Sequence, residues 1–186
     1  MKIAIDPGHG GMFSGAVGTN PFVVNEKDIT LAICLGLSKM LKKQGHEVTL
    51  TRNRDVHFAP ELQADLMKRA EIANNARAQV FVSVHCNAYT DPNPEGIETY
   101  YFPNSPRNER LANSVQESMI AAFANHLNRG VKPKELLVLQ HATMPACLIE
   151  TEFLTNPTQL EFLAVERNQE AIAQAIAAGI RKFVGR

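Results

Sequence analysis

Val80-Phe81-Val82-Ser83-Val84-His85 is a short, almost wholly apolar run that stops at an imidazole. A strand of that composition belongs in a sheet covered on both faces, because neither of its sides alternates toward water. Two other runs share the form. Ile3-Ala4-Ile5 leads into Asp6-Pro7-Gly8-His9-Gly10-Gly11, and Ala146-Cys147-Leu148-Ile149 ends at Glu150. Helical patterns separate these runs. Ile29, Ala32, Ile33, Leu37, Met40 and Leu41 recur at helical spacing over 27–44, and Gly45 supplies a stop. Leu62, Leu66, Ala70 and Ala73 form a stripe on a helix that Pro60 opens and that runs to about 76. Further helices are expected over 107–125 and 169–184, the last with Asn168 as its N-cap and with Ile172, Ile176, Ile180 and Phe183 facing a core. Strands are expected at 2–6, 47–51, 79–85, 97–102, 136–140 and 146–150. This alternation predicts an α/β fold, with one three-layer domain spanning 1–186. A mostly parallel, twisted sheet of about six strands lies between helices on both faces. The proline-rich stretches 91–94 and 103–106 join neighbouring elements rather than domains.

Composition narrows the function. A chain of 186 residues buries roughly 70% of its unfolded surface, enough for a core without disulfide staples. The formal net charge is zero, which argues against nucleic acid or an anionic membrane as the main partner. The apolar runs are too short to span a bilayer, so no membrane insertion is expected. Met1-Lys2-Ile3 leads directly to Asp6 and two glycines, which is not a signal peptide. Cys34, Cys86 and Cys147 show no regular spacing and no disulfide framework. A monomer is expected.

In open α/β sheets, ligands bind beyond the carboxyl ends of the strands. His9, His85 and Glu150 all fall at such ends, and Glu26 stands just before a helix, where it can fold back over the same edge. Two imidazoles and a carboxylate can bind zinc and leave a position open for water, from which a further carboxylate can take a proton. The residues therefore suggest a zinc hydrolase.

The pattern resembles the zinc-dependent N-acetylmuramoyl-L-alanine amidases of the Amidase_3 type. The matching stretches are Ile5-Asp6-Pro7-Gly8-His9-Gly10-Gly11, Gly15-Ala16-Val17-Gly18, Glu26-Lys27-Asp28-Ile29 and Phe81-Val82-Ser83-Val84-His85-Cys86-Asn87-Ala88. They continue through Gly96-Ile97-Glu98-Thr99-Tyr100-Tyr101, Asn128-Arg129-Gly130-Val131-Lys132, and Met144 to Asn156. No single piece is specific; the ordered set, spanning nearly the whole chain, is. The resemblance implies one zinc ion per chain on His9, Glu26 and His85, with Glu150 as the catalytic carboxylate. It implies peptidoglycan as substrate and cleavage of the amide between the lactyl group of N-acetylmuramic acid and L-alanine. That chemistry belongs at the cell wall, in turnover or lysis. The competing functions are a zinc peptidase or deacetylase acting on another amide, and an inactive wall-binding module.

Other residues carry weaker signals. Glu152 departs from the small residue usual in the family two places after the catalytic glutamate. Either it tunes Glu150 or it is a solvated carboxylate on a bending loop, and the second reading is favoured. Asp6 either orients His9 or caps the glycine turn. Asn87 and Arg129 are candidate substrate contacts, since an acetylated sugar and a carboxylated peptide need donors. Cys86 points away from the side of His85 and reads as a buried small residue. Cys34 and Cys147 read as packed apolar side chains. His46, His57, His126 and His141 are left outside the site. The Lys39, Lys42 and Lys43 cluster reads as a solvated helix face. About forty residues separate the strand at 97–102 from Pro145. That is too few for the helical plug that some relatives carry, so an open, unregulated site is expected. These residues hold no wall-targeting domain, so such targeting either sits on a segment outside them or is dispensed with.

Overall fold

The computed structural model describes residues 1–185. The carboxyl edge of a six-stranded sheet organises the molecule. Strand order is β4-β1-β5-β8-β6-β7, with β1 at Lys2–Pro7, β4 at Glu47–Leu50, β5 at Val80–Asn87, β6 at Ile97–Tyr101, β7 at Asn128–Pro133 and β8 at Ala146–Phe153. All neighbours pair in parallel except β6 and β8, which run antiparallel. That one reversal brings the start of β6 to the edge where β1, β5 and β8 end. A two-stranded hairpin, β2 at Val17–Gly18 and β3 at Val24–Asn25, stands apart from the sheet.

Helices cover both faces. The larger core lies under α1 (Glu26–Lys43), α3 (Pro106–Ala122), α5 (Pro157–Ala164) and α6 (Glu166–Val184). Ile3, Ile5, Val82 and Val84 meet Ile33, Leu37, Leu111, Val115, Ile176 and Ile180 there. The smaller core lies under α2 (Leu62–Asn75) and α4 (Leu137–Gln140), where Ala4, Phe81 and Leu148 meet Ala73, Val138 and Leu139. Successive residues of β1 enter opposite cores, as a strand's alternation requires when both faces are dry. Cys34, Cys86 and Cys147 are free and buried.

Several boundaries differ from the sequence reading. Residues 136–140 are not a strand; Leu137–Gln140 is a short helix whose apolar run caps the smaller core. A short apolar run fits a buried helix turn as well as a strand, and periodicity alone does not separate the two. The sixth strand is instead β7, a polar edge strand that ends at Pro133, where a missing N–H is tolerated. Helix α5 was not anticipated, although its start signal is local: Pro157 sits at the first turn, and Asn156 accepts from the amides of Thr158 and Gln159. Asn168 is not an N-cap. Helix α6 begins earlier, after Val165, and Asn168 donates its side-chain Nδ2 to the Phe162 carbonyl. Helix α2 begins at Leu62, two residues beyond Pro60. Between β6 and Pro145 the chain forms α3, β7 and α4.

Candidate active site

His9 stands just past β1, in a turn that a left-handed backbone makes possible: φ is 62° at His9, 136° at Gly10 and 57° at Gly11. His85 lies on β5. The strand continues to Asn87 with a register irregularity between the two, so His85 sits inside the strand rather than at its end. The same correction applies to Glu150, since β8 runs on to Phe153. Glu26 is the first residue of α1, where the helix dipole favours a carboxylate.

These elements bring three side chains together. Each Glu26 oxygen faces one imidazole: Oε2 lies 3.1 Å from His9 Nε2, and Oε1 lies 2.9 Å from His85 Nδ1. The two rings meet edge to face with centroids 4.9 Å apart. A ligand atom from each of the three lies within 4.8 Å of the others, and among the described residues no other such group of His, Cys, Asp and Glu occurs. Glu26 is 3% exposed. It also accepts from the backbone amides of Ala16 at 2.8 Å and Cys86 at 3.0 Å. Burial acts to raise its pKa, but hydrogen bonds and positive charge from His85 and His9 outweigh burial and hold it below the ordinary carboxylate range. The donor set, two imidazole nitrogens and a carboxylate, suits zinc with a position left open. Cys86 takes part through its backbone amide. Its thiol stays buried at 3.5 Å from Thr151 Oγ1, away from the cluster as the alternation predicts.

Two glycines permit this closeness. A Cβ on Gly8 would lie 2.4 Å from His85 Cε1, and one on Gly15 would lie 2.5 Å from Glu26 Oε2 and 2.6 Å from His9 Cδ2.

Glu150 pairs in register with His85 on one side and Glu98 on the other. Part of its side chain surfaces at the rim, but Oε2 is sealed from solvent and has no hydrogen-bond partner among the described residues. Burial first, then the charges of Glu26 and Glu98, raise its pKa well above the ordinary carboxylate range, with Lys134 opposing. Glu98 was not anticipated. It is 2% exposed and collects Asn87 Nδ2 at 2.6 Å, Tyr100 Oη at 2.7 Å, Arg129 Nε at 3.2 Å and Lys132 Nζ. Asn87 and Arg129, the candidate substrate contacts, thus aim those donors at Glu98, and the Arg129 guanidinium also lies over the Phe153 ring at 4.9 Å. The signal was the alternation Glu98-Thr99-Tyr100, which puts Glu98 and Tyr100 on one face of a strand.

Asp6 neither touches His9 nor caps the turn. It accepts from Thr51 Oγ1 at 2.5 Å, Ser83 Oγ at 2.7 Å and Arg69 Nη1 at 3.0 Å. Burial opposes its ionisation, yet the Arg69 charge and the two hydroxyls hold its pKa low. Glu152 is not solvated; it is wholly buried. Its Oε2 accepts from the amides of Gly96 at 2.8 Å and Phe153 at 3.0 Å, and its Oε1 takes His126 Nδ1 at 2.9 Å. None of these bonds reaches Glu150. Glu152 anchors the loop before β6 to the loop after α3, where His126 packs on Phe162 with centroids 4.5 Å apart. A Glu152→Ala protein is expected to lose ~1–3 kcal/mol for each amide left without an acceptor, seen as a lower urea midpoint, with zinc uptake unchanged. A wild-type midpoint would contradict the anchoring role. His46, His57 and His141 stand outside the cluster.

A mostly parallel sheet carrying a His–Glu–His cluster and a buried carboxylate at its rim defines an α/β protein of the amidase type. The N-acetylmuramoyl-L-alanine amidase family model matches residues 3–182, and the chain belongs to that family of cell-wall hydrolases. It is 31% identical to the germination-specific N-acetylmuramoyl-L-alanine amidase of Bacillus subtilis, over 97% of this chain and 78% of that one. It is 34% identical to the N-acetylmuramoyl-L-alanine amidase LytC of the same organism, over 95% of this chain but only 34% of LytC. Among solved structures, the CwlD amidase of Clostridioides difficile, in complex with the GerS lipoprotein, superposes with a TM-score of 0.92 at 34% identity. That match covers 99% of this chain and 98% of CwlD. No helix among the described residues is long and apolar enough to cross a membrane.

Proposed function

We propose that the chain hydrolyses the amide between the lactyl group of N-acetylmuramic acid and L-alanine in peptidoglycan, at the cell wall, with one zinc ion held by His9, Glu26 and His85. The observation that carries this reading is the sealed, unpartnered Glu150 Oε2 beside the three-residue cluster. A buried acceptor without a partner costs stability, and here the role of its carboxylate is to receive a proton. When bound, zinc supplies a Lewis acid that makes a hydrolytic water acidic near neutral pH and polarises a carbonyl. Glu150 accepts the proton of the attacking water through its carboxylate. Burial raises its proton affinity, which lets it hold that proton until the amide breaks. It then delivers the proton to the departing alanine nitrogen, because an amine anion is a very poor leaving group. Glu26 keeps the two imidazoles facing one point. Glu98, in register with Glu150, holds Tyr100 and Lys132 and keeps that side of the rim ionic.

Purified sacculi digested with the chain are expected to release intact stem peptides with a free L-alanine amino group, leaving the lactyl group on the glycan, as read by mass spectrometry. Chelation should stop release and added zinc should restore it. Stem peptides cut internally would point to a peptidase, loss of acetyl groups to a deacetylase, and pelleting without release to a wall-binding module. Each result would overturn the proposal.

A further inference from the structure

The turn that carries His9 directs three consecutive carbonyls, those of Pro7, Gly8 and His9, at two buried arginines. Arg52, 2% exposed, donates Nε to the Pro7 carbonyl at 3.0 Å and Nη2 to that of Gly8 at 2.9 Å. Arg69, 1% exposed, donates Nη1 to the Pro7 carbonyl at 2.7 Å and Nη2 to that of His9 at 2.6 Å. Thr30 Oγ1 adds a bond to the Gly8 carbonyl at 2.8 Å. A left-handed backbone at a residue with a Cβ is strained and persists only where its surroundings over-determine it. At His9 these donors are the surroundings.

The guanidinium suits the task because its planar fork reaches several acceptors at once with fixed geometry, which an ammonium does not. Arg69 is balanced by Asp6 and by Asp65, whose Oδ2 lies 2.7 Å from Nε. Arg52 makes no ion pair with a carboxylate among the described residues. Burying a charge on neutral partners alone is costly, so its placement calls for a return. Nη1 donates to the Arg54 carbonyl at 3.3 Å, and the remaining partners supply that return. Nη2 also donates to the Lys27 carbonyl at 2.7 Å and to Thr30 Oγ1 at 3.2 Å, both in the first turns of α1. One guanidinium therefore joins the turn bearing His9 to the helix end bearing Glu26. Lys27 repeats the link from outside: its Nζ donates to the Gly11 carbonyl at 2.9 Å and to Asp55 Oδ2 at 2.7 Å, while Asp55 Oδ1 accepts from the Gly11 amide at 2.6 Å.

We infer that Arg52 and Arg69 are positioning residues for the metal centre. They set His9 against Glu26 before any ion arrives, so part of the zinc affinity resides in side chains that never touch zinc. Of the two arginines Arg52 carries the larger share, because Arg69 bonds the turn but not α1. The inference rests on the reading of His9 and Glu26 as zinc ligands.

The test is zinc affinity, measured by competition with a chromophoric chelator on metal-stripped protein, alongside the melting temperature of the same samples. Arg52→Lys keeps the charge and loses the fork; its zinc affinity is expected to fall ~10–100-fold, the usual cost of disturbing groups that orient metal ligands. Thr30→Val is nearly isosteric, remains folded, and is expected to lose affinity in the same direction by a smaller factor. Leu111→Ala, a cavity in α3 that touches no bond of the turn, serves as the control. It should melt lower yet bind zinc within about twofold of wild type, since separated sites act independently. Wild-type affinity in Thr30→Val and in folded Arg52→Lys would overturn the inference. So would a loss in Leu111→Ala that tracks its melting temperature as closely as that of Arg52→Lys. If wild type takes up no zinc, or His9→Ala binds it normally, the metal reading itself fails, a different result from either of these.

Discussion

A Glu150→Gln protein is expected to take up zinc like wild type, to release at least ~10²-fold less peptide from sacculi, and, stripped of metal, to melt at a higher temperature than wild type at neutral pH. The first two outcomes follow from the proton that the Glu150 carboxylate is proposed to carry, since an amide cannot accept it. The third follows from burial. Glu150 has a folded-state pKa raised first by burial and then by Glu26 and Glu98. A carboxyl raised in this way favours the folded state fully while it is protonated, below the unfolded value of about 4.3. That contribution declines as pH rises from there through the raised folded value, because the unfolded chain ionises more readily. Near pH 7 the wild type therefore folds against a penalty that a neutral glutamine avoids, whereas near pH 4 the two proteins should melt alike. Melting curves of both metal-free proteins at the two pH values read the difference. Equal melting temperatures at pH 7 would contradict the buried-proton account, and an active Glu150→Gln protein would end the catalytic assignment. A stabilised but inactive variant is the signature of a side chain placed for chemistry at the expense of the fold.

What the sequence made legible depended on range. His9, His85 and Glu150 stood out because each follows an apolar run, and a buried strand announces itself in consecutive residues. The parallel sheet and its two helical layers followed from the same runs. The edge strand β7 did not, because Asn128-Arg129-Gly130-Val131-Lys132-Pro133 offers the core a single aliphatic side chain, Val131, and pairs with only one neighbour. The groups that brace the site were hidden for a different reason. Arg52 and Arg69 meet carbonyls 44 to 62 positions away in the chain, and no local pattern encodes such a bond. Glu152 was misread as solvated because a carboxylate near a strand end is usually wet, and its partners, the Gly96 amide and His126, come from loops on separate segments. Asp6 illustrates the intermediate case. Its nearness to His9 in sequence suggested a direct contact, whereas it reaches His9 only through Arg69.

Gly8→Ala is expected to fold and yet to lose zinc affinity and activity together, by at least ~10-fold in affinity, although it adds a single methyl group. Gly8 has no need of a left-handed backbone; its role is space. The added Cβ would lie 2.4 Å from His85 Cε1 and 2.6 Å from Nδ1 and Nε2, well inside contact distance, so one of the two must move. The backbone at residue 8 cannot easily yield. Its amide donates to the Val84 carbonyl at 3.0 Å, and its carbonyl is held by Thr30 and Arg52. The His85 ring must turn away instead. Turning breaks its 2.9 Å bond to Glu26 and its edge-to-face packing on His9, which are the contacts that aim it at the cluster. The core lies below this layer, so the melting temperature of the metal-free protein should fall far less than that of a core truncation such as Leu111→Ala. Zinc titration and sacculus digestion of the same preparation test both halves. A Gly8→Ala protein with wild-type zinc affinity would mean that His85 Nδ1 need not face Glu26 for the ion to bind, and the three-ligand reading of the rim would fall with it.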